Sequence, residues 1–209
     1  KYGVTVEGAK LDHAKVVERK AKVVKTLVAG VGMKMKANKV TVVDGEAVIT
    51  GRVNGGFGVK VADKDYEGAK LLIATGSVPI VPPIPGTKEG LETGYVMTNR
   101  EILDMTEVPG KLVIVGGGVI GLEMASYFAT AGSKVTVVEM LDKIAGPTDN
   151  EISNLLLKEL QKKGIEFKLG SKVVGIEPDG VLYEKDGKTE KVPSDKVLMS
   201  IGRRANTQG

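Results

Sequence analysis

Apolar positions along the chain change period more than once, and each change predicts a different element. Over 10–36 no Pro occurs, and Val17, Val24, Val28, Val31 and Met35 recur at spacings of seven, four, three and four. That period predicts one long helix whose apolar stripe packs against a sheet, with Gly30 and Gly32 weakening its last turns. From residue 40 the pattern shortens to β-rich runs at 40–43, 46–50, 58–61 and 70–74. Asp44-Gly45 and Asn54-Gly55-Gly56 separate them, and Asp-Gly and Asn-Gly are hairpin signals, so a small antiparallel meander is expected. It ends in the buried-strand run 71–74 and then Thr75-Gly76-Ser77. Pro79, Pro82, Pro83 and Pro85 come next, too dense for a sheet or helix interior, and they predict a domain boundary. A short helix is expected over 98–104, with Thr98 or Asn99 as its cap.

After Pro109-Gly110 strands and helices alternate. Strand 111–115 leads through glycines into helix 122–131, closed by Gly132. Strand 134–138 ends at Glu139. Thr148-Asp149-Asn150-Glu151 has the form of a capping box for a helix that should turn Ile152, Leu155, Leu156 and Leu160 inward. Strand 165–169, hairpin-like runs near 173–176, 181–184 and 190–192, and strand 196–201 complete the pattern. The fold class is α/β: a Rossmann-like parallel sheet with an antiparallel meander, preceded by a partial domain built from the long helix and the small meander.

Composition narrows the chemistry. The chain has 209 residues, 42% apolar and 27% charged, enough to bury a core. It has no Cys, one His and no Trp. That excludes a disulfide, a thiolate metal site or a cysteine nucleophile within these residues and leaves no histidine cluster, so neither a metal site nor a catalytic group is expected here. Aromatic residues at 4% supply little for stacking single-stranded nucleic acid. Residues 1–40 hold ten Lys/Arg against three Asp/Glu, whereas the rest hold twenty against twenty-three. The basic excess lies on the long helix and is read as its solvated face, not a nucleic-acid patch. No apolar run reaches membrane-spanning length and no signal pattern opens the chain, so a cytoplasmic protein without membrane contact is expected. Lys1 in place of Met suggests a fragment or processed piece. His13, with no acid or nucleophile placed near it in sequence, is expected at the surface.

The glycines after strand 111–115 carry the strongest signal. Gly116, Gly117, Gly118, Val119, Ile120 and Gly121 form G-x-G-x-x-G between a strand and a helix, inside a βαβ unit of about thirty residues. Gly116 permits the turn out of the strand, Gly118 lets backbone approach a pyrophosphate, and Gly121 lets the helix pack closely on the sheet. The first N–H groups of the helix would then face the phosphates. Glu139 lies eighteen residues after Gly121, at the end of the second strand. An acid there can accept hydrogen bonds from an adenosine ribose and repels a 2′-phosphate. The nearest base after it is Lys143. These residues point to NAD rather than NADP.

The fingerprint with its flanks resembles the flavin disulfide oxidoreductases, in their lipoamide branch. Four segments carry the likeness over essentially the whole chain. They are Leu72-Ile73-Ala74-Thr75-Gly76-Ser77, the fingerprint through Leu122-Glu123, Val135-Thr136-Val137-Val138-Glu139, and Ile201-Gly202-Arg203-Arg204-Ala205-Asn206-Thr207. Ala205 stands where Pro is usual. The resemblance implies domains at 1–77 (partial FAD-binding), 78–203 (NAD-binding) and 204–209 (a return toward the FAD domain). It implies that Thr75, Gly76 and Ser77 touch FAD. Ala47, in the turn after Asp44-Gly45 and where the family often has Gly, would offer backbone to its adenine. Gly116 to Glu123, Glu139, Val173 and Gly202 would line the NAD site. In relatives Glu123 points at the flavin and pairs with a lysine, although a first-turn Glu is also favoured by the helix dipole alone. Val119 replaces the tyrosine gate of glutathione reductase relatives.

The implied activity passes electrons from dihydrolipoamide through a disulfide and FAD to NAD. Its FAD fingerprint, cysteine pair, Gly-Asp segment and His-Glu pair are not among these residues. The chain alone is therefore expected to be inactive, to bind NAD, and to bind FAD weakly or not at all. The implied partners are the lipoyl domain of a 2-oxoacid dehydrogenase or related complex, and a second copy in a homodimer. The alternatives are an NADH oxidase or ferredoxin-reductase-like flavoprotein, against which Gly202-Arg203-Arg204 and Val119 argue. A non-catalytic dinucleotide-binding module is the other, against which the proline crossing and the small meander argue.

Overall fold

The computed structural model describes residues 7–208. They form two compact units, one of residues up to Glu18 with Pro79–Arg204, the other of Arg19–Val78 with residues from Ala205 onward. Helix α1, His13–Ala37, begins in the first unit and runs into the second. Asp12 starts it by accepting the Lys15 N–H at 3.2 Å, a side-chain cap.

In the second unit, β1 (Ala47–Val53), β2 (Gly56–Val61) and β3 (Lys64–Gly68) form an antiparallel sheet in sequence order. Asn54 and Gly55 take φ of 46° and 79° between β1 and β2, the two-residue turn that Asn-Gly favours. Strand β4, Ser77–Pro79, lies where the chain crosses from this unit into the other. Several expectations fail here. His13 is the only buried residue of α1, and Val24, Val28, Val31 and Met35 of the stripe are exposed. Residues 40–43 and 70–74 are irregular, not strands. The two failures have one cause: an apolar helix stripe and a buried-strand pattern both need a partner surface, and none buries them among the described residues. Ala47 is the first residue of β1, paired with Val61, and is not in a turn. Pro79 ends a short strand within the proline crossing, at a terminus where its missing N–H does little harm.

The first unit continues with α2 (Thr87–Glu92), β5 (Val96–Met97), β6 (Lys111–Val115), α3 (Val119–Ala131), β7 (Lys134–Val138), α4 (Asn150–Lys162) and β8 (Glu166–Lys168). Then come β9 (Lys172–Glu177), β10 (Gly180–Lys185), β11 (Lys188–Pro193), β12 (Lys196–Met199) and β13 (Arg203–Ala205). Five strands make a parallel sheet in the order β5-β12-β6-β7-β8, and β9, β10 and β11 make an antiparallel meander.

Alternation along the parallel strands explains the layering. Leu112 and Ile114 of β6 turn to one face and pack with Leu122, Ala125 and Phe128 of α3. Val113 and Val115 turn to the other and pack with Val173, Val181, Tyr183 and Val192 of the meander. A strand covered on both faces is buried throughout, and past Lys111 every residue of β6 is.

His13 corrects the expectation of a surface histidine. It is buried, its Nδ1 lies 2.9 Å from the Tyr127 hydroxyl, and its ring packs against Tyr127 and Phe128. Residues 98–104 form turns instead of a helix, although Thr98 and Glu101 keep a capping exchange: the Glu101 carboxylate accepts the Thr98 N–H at 2.8 Å and its hydroxyl at 2.5 Å. Helix α4 is rotated from its expected face. Leu160 is buried as expected, but Ile152, Leu155 and Leu156 are exposed; the inward side is Ser153, whose hydroxyl donates to the Ile144 carbonyl at 2.8 Å, with Leu157 and Leu160 packed on the core. Asp149 is its N-cap, accepting the Glu151 N–H at 2.8 Å. No helix among the described residues is long and apolar enough to cross a membrane.

Candidate functional site

Strands β6, β7 and β12 end side by side, and the loops leaving their carboxyl ends build one cleft of about 680 Å³. A crevice outside the carboxyl ends of parallel strands is where α/β sheets hold ligands, and the volume suits a small molecule. Hydrogen bonds fix its floor. The Gly116 N–H donates to Val138 O, and the Ser200 N–H to Val115 O, both at 2.9 Å. The loop after β7 is tied to the fingerprint by the Ala145 N–H on Gly117 O at 2.8 Å.

Each glycine of the fingerprint has its own reason. Gly116 has φ 105°, and a Cβ there would lie 2.6 Å from Ser200 O. A Cβ on Gly121 would lie 2.4 Å from Gly116 O and 2.7 Å from Ser200 Oγ, so α3 sits on β6 more closely than any side chain allows. Gly118 differs: its Cβ would meet nothing within 4 Å. The space beside Gly118 belongs to the cleft. Gly118 is also the N-cap of α3 and offers no side chain to the first N–H groups of the helix, which remain to be satisfied from outside.

Glu139 turns back onto this corner. One carboxylate oxygen accepts the Gly117 N–H at 2.5 Å, and the other accepts the Leu141 N–H at 2.7 Å. Each oxygen keeps a lone pair for a further donor. The side chain is thus half-buried and aimed along the cleft wall, not out to bulk water. Val119, Met140, Leu141 and Ile201 are exposed around the cleft, an apolar rim with no occupant among the described residues.

Of the other residues expected to contact NAD, Ile120, Val173 and Gly202 line the cleft. Leu122 is buried in the core between α3 and the sheet, and Glu123 is exposed past the first turn of α3, which carries no acid; neither lines the cleft, nor do Gly117 and Gly121, which are buried beneath the corner. Of α3 only Val119 and Ile120 line the cleft, because the helix turns Gly121 and Leu122 onto the sheet and Glu123 away from it. Ala47, Thr75, Gly76 and Ser77 lie in the other unit. There the Thr75 hydroxyl donates to Asn206 O at 2.5 Å, and the Asn206 N–H to Gly76 O at 3.0 Å.

Three lining features were not expected from the sequence. Ser200 donates its hydroxyl toward Val115 O and Gly116 O, at 3.1 and 3.2 Å, and supports the turn from beneath. Ile201 leaves the sheet because β12 stops at Met199, two residues before its predicted end. Lys172 is the one positively charged residue among those lining the cleft. Only the Gly after Ser200 and Ile201 hinted at the first two, and nothing in the spacing marked Lys172.

A family model of the pyridine nucleotide-disulphide oxidoreductases matches residues 3–209. The chain belongs to that family. Its fold is thus that of a group of oxidoreductases. It is 41% identical over 209 residues to the dihydrolipoyl dehydrogenase of Acholeplasma laidlawii, a match covering 100% of this chain and 61% of the relative. It is 38% identical over 208 residues to that of Mycoplasma genitalium, covering 99% and 45%. The chain therefore spans about half the length of the relatives it matches. Among solved structures it is similar to the HOCl-induced flavoprotein disulfide reductase RclA from Escherichia coli, with 30% identity and a TM-score of 0.79 over 95% of this chain and 44% of that one. LpdA from Mycobacterium tuberculosis, at 23% identity and a TM-score of 0.80, shares the fold.

Proposed function

We propose that this chain supplies the pyridine-dinucleotide site of a dihydrolipoyl dehydrogenase and binds NAD in the cleft beside Gly118. The observation that carries the reading is the pairing of open space at Gly118 with the Glu139 carboxylate held by the Gly117 and Leu141 N–H groups. Pyrophosphate would lie against Gly118 and the start of α3, where unpaired N–H groups and the helix dipole favour negative charge. The adenosine ribose would donate to the remaining lone pairs of Glu139. The apolar rim of Val119, Met140, Leu141 and Ile201 would cover the rings and exclude water. When bound, the nicotinamide would accept hydride from a reduced flavin. This chain's part is to bind and orient it.

The similarity to dihydrolipoyl dehydrogenases supports the wider reading: FAD as the second cofactor, reached through Thr75, Gly76, Ser77 and Ala47; a lipoyl domain as the source of electrons; and a second copy as partner in the cytoplasm. The described residues hold no cysteine, so turnover would depend on groups outside this chain.

The test is a titration of the chain with NADH and NADPH. NADH is expected to bind more tightly, and Glu139→Arg to move the preference toward NADPH. Equal affinities for the two in the unsubstituted chain, or a ratio unmoved by Glu139→Arg, would remove Glu139 from the ribose site.

A further inference from the structure

Lys143 lies in the loop that wraps the fingerprint. Two residues before it, Leu141 donates its N–H to Glu139; two residues after it, Ala145 donates its N–H to Gly117 O. Two residues of chain span at most about 7 Å, so the Lys143 stem starts close to the carboxylate that would receive the ribose. Its ammonium is nevertheless directed elsewhere. It donates to Thr148 O at 2.7 Å and to Asn150 Oδ1 at 2.8 Å. Both acceptors sit on ordered backbone. The Thr148 hydroxyl donates to Ala145 O at 2.9 Å, and Asn150 is the first residue of α4, set by the Asp149 cap.

We propose that Asn150 and the Thr148 carbonyl form a latch that withdraws Lys143 from the adenosine end of the cleft, and that this withdrawal is part of the discrimination against a 2′-phosphate. The inference rests on the reading of the cleft as a dinucleotide site and adds a residue to its specificity. A phosphate monoester carries roughly −1.5 to −2 charge near neutral pH. Beside Glu139 it needs cationic groups to offset repulsion. Lys172 lines the cleft already, and Lys143 is the first base after Glu139 along the chain. An ammonium bonded to two oxygens must give up both before it can turn to a ligand, so the latch makes Lys143 unavailable without removing it. NADH carries no 2′-phosphate, so its affinity is indifferent to the latch.

The experiment uses the 209-residue chain and titrates NADH and NADPH into the unsubstituted protein, Asn150→Ala, Lys143→Met and the double variant. Asn150 is exposed and is not the cap of α4, so Ala there should not disturb folding. Asn150→Ala is expected to tighten NADPH about threefold to tenfold, up to roughly 1.4 kcal/mol, with NADH changed by less than about twofold. Lys143→Met alone is expected to leave both affinities unchanged, and in the double variant the gain for NADPH should vanish. NADPH affinity unmoved by Asn150→Ala while NADH still binds would overturn the latch and leave the dinucleotide site standing. The same gain in the Lys143→Met background would also overturn it, since the released group could not then be Lys143. Failure of the unsubstituted chain to bind either nucleotide would overturn the site itself, and the latch with it.

Discussion

A methyl group placed on Gly118 enters open space, whereas one placed on Gly121 enters backbone, and the contrast separates binding from folding. Gly118 has φ −76° and ψ 176°, an extended conformation open to any residue, and its Cβ would meet nothing within 4 Å. Gly118→Ala should therefore leave the fold intact: the gain of about 0.4–1 kcal/mol from restricting the unfolded chain is offset by a comparable loss of a favoured N-cap residue, so stability should change by less than about 1 kcal/mol. For a chain of this size that keeps Tm within roughly 4 °C. The same methyl occupies the space where pyrophosphate would approach, so NADH affinity should fall at least about tenfold, or roughly 1.4 kcal/mol. Gly121→Ala is the reverse case. Its Cβ would lie 2.4 Å from Gly116 O and 2.7 Å from Ser200 Oγ, and Gly116 O is backbone that cannot swing aside. Forcing α3 off β6 should cost about 1–3 kcal/mol, as overpacking does elsewhere. Urea denaturation and NADH fluorescence titration on the same preparations read both quantities. Gly118→Ala binding NADH as tightly as the unsubstituted chain, or losing as much stability as Gly121→Ala, would refute the reasoning.

Two further expectations concern pH. Burial and a hydrogen bond to Glu190 push the Tyr183 hydroxyl up to about 12 from its ordinary value of 10.0. Its contribution is complete below the unfolded value and is lost as pH rises through the folded one, so Tyr183→Phe should flatten the loss of stability between about pH 10 and 12, read by denaturation across that range. Burial pushes the Glu101 carboxyl up, but hydrogen bonds from the Thr98 hydroxyl and N–H outweigh it and hold the group below its ordinary value of 4.5. Its contribution is present above that value and is lost as pH falls through the folded one; Glu101→Gln should therefore lower stability at pH 7 and flatten the acid limb. An unchanged acid limb would count against it.

Those parts of the fold that were legible in the sequence are the ones where several local signals coincide. Lys111–Val115 reads as a strand because it is uniformly apolar past its first residue, as a parallel strand covered on both faces must be, and glycines come after it at the spacing a tight strand-to-helix turn requires. Asn54-Gly55 marked the hairpin between β1 and β2 because that turn needs positive φ at both residues. What was not legible depends on partners distant in sequence. The buried face of α4 is the one on which Leu157 and Leu160 meet the core and Ser153 bonds the Ile144 carbonyl, and the apolar spacing of Ile152, Leu155 and Leu156 does not report it. The burial of His13 depends on Tyr127 and Phe128, more than a hundred residues away, and no periodicity reports such a contact. In the cleft, Glu139 was legible from its distance to the glycines. Lys172 was not, because the meander that brings it there is an insertion between β8 and β12 with its own register.

Whether the corner at Gly118 and Glu139 holds a dinucleotide is tested most directly by an amide NMR titration of the chain with NADH. Saturable shifts are expected, largest at the backbone N–H groups of Gly117, Val119, Ile120 and Leu141, which surround those two residues. Saturable binding that leaves those four amides unmoved, or no binding at millimolar NADH, would contradict the assignment.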